Sequence, residues 1–116
     1  MQRFIRALAG CALVSSLAAC VVTQPQAPAP RPDAHEIAVQ RLRQVDGRTD
    51  NLSRRIDAHV NAGVYPPPQG GALHHRLDEI RQEAHDMAVQ HGGGLSSDEQ
   101  RVLNQELDGA ARAIGE

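Results

Sequence analysis

Residues 34–59 read AHEIAVQRLRQVDGRTDNLSRRIDAH, and this stretch decides the fold class. Ala38, Leu42, Val45, Thr49, Leu52, Ile56 and His59 recur at alternating steps of four and three. That spacing lays an apolar stripe along one face of a helix. The positions between carry Arg41, Arg43, Asp46, Asp50, Arg54 and Asp57, which suit a solvated outer face. Asp50 precedes Arg54 by four residues, the favourable order for an ion pair within a helix. Gly47 interrupts the pattern and costs the helix about 1 kcal/mol relative to Ala. The stripe lasts only three heptads and is weakened by Thr49 and His59. A helix packed in a small bundle is therefore favoured over a strand of an intermolecular zipper.

Two more helices follow downstream. The first helix is expected over about residues 34–62, with a stop near Asn61, Ala62 and Gly63. Pro66, Pro67 and Pro68 cannot continue a helix, and Gly70 and Gly71 are expected to give the reversal. Tyr65 beside them either closes this loop on the proline faces or makes a small recognition surface. Leu73, Leu77, Ile80, Ala84 and Met87 set a second helix at about 72–91, ended by Gly92, Gly93 and Gly94. Ser96 with Glu99 three residues on is a capping-box pattern. It opens a third helix at about 96–114 on the stripe Leu103, Leu107, Ala110 and Ile114, with Asp108 and Arg112 as an outer pair. The predicted class is all-α: a short three-helix antiparallel bundle, or a helical hairpin plus a third helix, over residues 34–116. Leu52, Ile56, Leu77, Ile80, Leu103 and Leu107 should share its core.

Upstream the composition changes twice. Val21 to Asp33 holds Pro25, Pro28, Pro30 and Pro32 among Gln, Ala and Thr. Spaced prolines favour extended polyproline II, so a disordered linker of about 40 Å is expected. A proline-rich docking site is the sharper reading of the same residues. Before it, Arg3 and Arg6 precede an apolar run over residues 7–19. Thirteen residues suit the core of an export signal and fall short of the roughly 20 of a membrane-spanning helix.

That run ends in Leu17, Ala18, Ala19 and Cys20, which resembles the lipobox of bacterial lipoproteins. The resemblance implies a signal peptide over 1–19, cleavage between Ala19 and Cys20, and a thioether-linked diacylglycerol on Cys20 with an acylated amine. Several acyl chains anchor a protein firmly to a bilayer without crossing it. Lipoproteins of this kind that stay in the inner membrane usually carry Asp after the lipidated Cys. Here the residue is Val21, so the outer membrane, facing the periplasm, is expected. The stretch Gly94-Leu95-Ser96-Ser97-Asp98-Glu99, with Leu103, Leu107, Asp108 and Ile114, is similar to units in small helical envelope proteins of proteobacteria. That resemblance spans roughly 52–114 and implies no particular activity.

Composition excludes several chemistries. Cys11 lies in the expected signal and Cys20 would carry lipid, leaving no thiol for a disulfide, a metal or a nucleophile. All twelve basic residues are Arg. Removing Arg3 and Arg6 leaves ten against fourteen acids, a balance of −4. That argues against nucleic-acid binding and against electrostatic adhesion to anionic lipid. Outside the expected signal, Tyr65 is the single aromatic side chain, so the core is aliphatic. Six histidines invite a metal reading, but His74 and His75 point to different faces, pairing by spacing with Asp78 and Glu79. His85 lies three turns from His74, so one helix cannot close a site of three or four ligands. The turns lack the spaced carboxylates of a calcium loop, and Gly92 to Ser97 lacks the Lys of a phosphate loop. No metal and no cofactor beyond covalent lipid is expected. The expected role is a structural or protein-interaction module of the envelope, without catalysis, with an envelope protein or a second copy as partner. A small ligand- or metal-binding lipoprotein using the histidines is the alternative.

Overall fold

The three stripes become three helices, and each start has a local cause. The structure, a computed structural model, describes residues 31–115. The expected signal, the lipid site at Cys20 and the linker up to Pro30 lie outside the described residues. Helix α1 (Ala34–Asn61) begins where the Asp33 carboxylate accepts the Glu36 N–H at 2.7 Å. Helix α3 (Ser97–Ile114) carries the full capping box: Ser96 Oγ takes the Glu99 N–H, and the Glu99 carboxylate takes the Ser96 N–H.

Helix α2 (Pro67–Gln90) corrects the expectation of a start near Ala72. Pro66 is its N-cap, and Pro67 and Pro68 form its first turn. The first helical N–H groups have no intrahelical partner, so prolines lose nothing there and bring a pre-set φ. Gly70 and Gly71 are therefore helical rather than the reversal. The chain reverses instead over residues 62–66, with Gly63 at φ +72°. Gly70 is buried because α1 lies against it: a Cβ there would meet Val60 Cγ2 at 2.5 Å. At the other end of α2, Gly92 and Gly93 take φ +73° and +104°, as a left-handed cap requires, and Gly93 N–H returns to the Ala88 carbonyl.

Side-chain pairs define the topology. Asp46 meets His85, Asp50 meets Arg81 and Asp57 meets His74, so α1 and α2 run antiparallel. Gln44 meets Gln100, Arg48 meets Asn104 and His59 meets Ile114, so α3 runs parallel to α1. Each helix touches both others, an up-down-up three-helix bundle. The predicted six leucines and isoleucines are all buried in one cluster with Val45, Ala84, Ala88, Ala110 and Ile114. Two further members come from the connections. Leu95 is fully buried, and Tyr65 is packed edge-on to His59 at 5.5 Å rather than resting on the prolines alone. Thr49 is also fully buried, and its hydroxyl donates to the Val45 carbonyl at 2.9 Å. Among the described residues no helix is long and apolar enough to cross a membrane.

Candidate functional site

The seam between α1 and α2 gathers most of the reactive side chains. Asp46, Asp50, Ser53 and Asp57 lie along one flank of α1, at steps of four, three and four. In the antiparallel register they face His85, Arg81 and His74 of α2. Asp46 meets His85 Nε2 at 3.1 Å, and Arg81 donates to Asp50. His74 Nε2 donates to Asp57 Oδ1 at 2.8 Å, and its Nδ1 lies in hydrogen-bond contact with the Ser53 hydroxyl at 3.0 Å. The other seams are similar. Arg48 donates to the Asn104 carbonyl and side chain and to Asp108, and Gln44 accepts from Gln100 and Asn104. His91 and Glu99 join the end of α2 to the start of α3 at 2.7 Å, and His59 donates to the last carbonyl of α3, Ile114, at 3.1 Å.

This corrects three pairings. Asp50 bonds Arg81 rather than Arg54, Asp108 bonds Arg48 rather than Arg112, and His74 bonds Asp57 and Ser53 rather than Asp78. Only His75 with Glu79, at 3.3 Å, forms within one helix as spacing suggested. Cross-helix partners win because flanking polar side chains at a packed seam are held close and partly shielded, while an exposed pair along one helix contributes only a few tenths of a kcal/mol. Four histidines are therefore fasteners between elements rather than free surface groups. Among the described residues no group of three or more His, Cys, Asp or Glu could hold a metal ion.

Ser53, His74 and Asp57 together form the nucleophile, base and acid of a hydrolytic relay in outline. Two features stand against that chemistry. Ser53 does not line the neighbouring cleft of about 490 Å³, which is bounded by Asp57, Val60, Asn61, Pro67, Gly70, Gly71 and His74. The first N–H groups of α2, on Gln69 and Gly70, already bond the Pro66 carbonyl, so they offer no oxyanion donors. The arrangement works as a clamp of α2 on α1. The cleft lies at the end of α1 remote from Asp33, a helix length of about 40 Å away.

Two carboxyls depart from ordinary behaviour. Burial against α2, then the charge of Glu83, push the Glu106 carboxyl up. The backbone N–H of Ser96, with His91 as a further partner, holds Glu99 down. A carboxyl raised in the fold contributes stability below its unfolded value and loses it as pH rises through the folded one. Glu106→Gln should therefore raise the melting temperature slightly at pH 7, and the gain should vanish in acid, below the ordinary Glu range near pH ~4.3. Melts at both pH values check this; a loss at pH 7 would show that the charged form is favoured. Compared with known proteins, the chain matches no family model, no curated protein and no solved structure.

Proposed function

We propose that this chain is a small lipid-anchored protein of the bacterial envelope, acting as a structural or protein-interaction module without catalysis. The observation that carries the reading is Leu17-Ala18-Ala19-Cys20 behind a basic start and a short apolar run. By its resemblance to a lipobox, Cys20 is the lipidated residue and Ala19–Cys20 the cleaved bond. Val21 in place of Asp directs the protein to the outer membrane, facing the periplasm. The fold supports a tethered module. The first turns of α1 lie against the α2–α3 connection at Gly94 and Leu95, while the α1–α2 turn and the cleft lie at the far end. The far end would point away from an anchoring bilayer. The polar side chains fasten helix to helix, which suits a scaffold better than an enzyme.

Cys20→Ser tests the anchor. The variant should accumulate as an uncleaved precursor, and the wild type should fractionate with outer membranes and be solubilised only by detergent. A wild type recovered wholly in the inner membrane refutes the sorting; one recovered without detergent refutes the anchor. A second reading, a small-ligand module, rests on Asp57, Asn61 and His74 meeting at the cleft. A zinc or small-cation titration that leaves the melting temperature unchanged would remove the metal-binding form of that reading.

A further inference from the structure

Among the described residues, one face of α1 makes no hydrogen bond or ion pair to α2 or α3. The acids of α1 beyond its first turn, Asp46, Asp50 and Asp57, all bond α2. Arg41 and Arg48 bond the Leu95 carbonyl and α3. Arg43, Gly47, Asn51, Arg54 and Ala58 remain on the outside, at steps of four, four, three and four, all exposed. Among the described residues neither Arg43 nor Arg54 has a hydrogen bond or ion pair. Between them, a Cβ on Gly47 would meet nothing within 4 Å. A glycine inside a helix costs about 1 kcal/mol against Ala, and no contact within this domain requires it. Close approach of another helix would.

The complementary surface is on the same chain. Asp78, Glu79 and Asp86 are exposed on the outer side of α2, and Asp78 has no partner among the described residues. Val89 nearby is 80% exposed. The register that sets Asp46 against His85, Asp50 against Arg81 and Asp57 against His74 also matches other positions. To within two residues, it sets Arg54 against Asp78 and Arg43 against Asp86.

We propose that this face binds a second copy of the chain, α1 of one copy packing antiparallel on α2 of the other. A two-fold axis parallel to the helices makes both ion pairs twice, with Gly47 at the close approach and Val89 covered by the Arg43 stem. An anionic bilayer fits less well, because Asp78 and Asp86 flank the same face and the chain is net acidic at −2. Exposed ion pairs contribute little singly, so the dimer is weak, with a dissociation constant on the order of 0.1 mM. Anchoring to a membrane would raise the effective concentration above that value. This deepens the interaction-module reading by naming a partner. A monomer still lipidated at Cys20 would overturn the dimer alone.

The test is sedimentation equilibrium of the full chain in detergent, from about 10 μM to about 1 mM, with vesicle binding in parallel. The wild type should pass from monomer to dimer across that range. Arg54→Glu and Asp78→Arg should each weaken association about tenfold or more, with unchanged helicity, and the double variant should recover most of it. A monomer at every concentration overturns the proposal, as does a double variant no better than the singles. Binding to anionic phosphatidylglycerol vesicles in excess of that to neutral phosphatidylcholine vesicles, which the acyl anchor alone gives, lost with Arg54→Glu and gained with Asp78→Arg, would reassign the face to lipid and also overturn it.

Discussion

Gly94→Ala should unfold a large share of the protein, although it adds one methyl group. Gly94 is buried where the α2–α3 connection crosses α1. A Cβ there would stand 2.5 Å from Ala38 Cβ, 2.6 Å from the Ala38 carbonyl carbon and 2.8 Å from Val39 N. Two of these are helix backbone atoms, which cannot swing aside. Overpacking of this kind typically costs 1–3 kcal/mol. More is lost if the connection lifts away. Leu95 N–H donates to the Ala38 carbonyl at 2.9 Å, Arg41 donates to the Leu95 carbonyl at 3.2 Å, and the Leu95 side chain is fully buried. The combined loss should reach about 3–5 kcal/mol, against total stabilities that begin near 5 kcal/mol for domains of this kind. Gly47→Ala is the matched control. The same methyl meets open space there and should stabilise the monomer by about 1 kcal/mol. Thermal melts at low concentration read both; equal effects would mean that the connection is not seated on α1.

Leu103→Ala and Leu77→Ala should be nearly as damaging. Leu103 is fully buried and Leu77 is 1% exposed. Truncating such a side chain loses transfer free energy and leaves a cavity, together about 2–5 kcal/mol. The core has few large side chains to close over the gap: four of its members are Ala and its one aromatic ring is Tyr65. Helicity at 37 °C should fall sharply in both variants. Arg54→Ala and Gln82→Ala, both exposed, should change stability by less than about 0.5 kcal/mol in dilute solution. If all four variants melt alike, the stripes do not define the core. The dilute condition separates folding from association, because only an oligomer has a midpoint that rises with concentration.

The apolar and capping patterns were legible because they are local. Leu103 and Leu107 repeat at the helical period, and Ser96 with Glu99 is a start signal read within four residues. The start of α2 was hidden because Pro66–Pro67–Pro68 breaks a helix if it comes from inside and begins one if it comes first. Leu95 escaped because a lone Leu after three glycines has no periodicity to betray it. The seam was the hardest part. Asp57 and His74 are 17 residues apart and Arg48 and Asp108 are 60 apart, so their pairing depends on helix register. A signal existed nonetheless. Once a hairpin is assumed and the core stripes are aligned, Asp46, Asp50 and Asp57 fall opposite His85, Arg81 and His74.

Mass spectrometry of the N-terminal peptide from the protein made in its own cells tests the anchored-module reading most directly. The peptide should begin at Cys20 and carry the mass of diacylglycerol on sulfur and a further acyl chain on the amine. A peptide that begins at Cys20 with a free thiol, or one that still contains Ala19–Cys20 uncleaved, would contradict it.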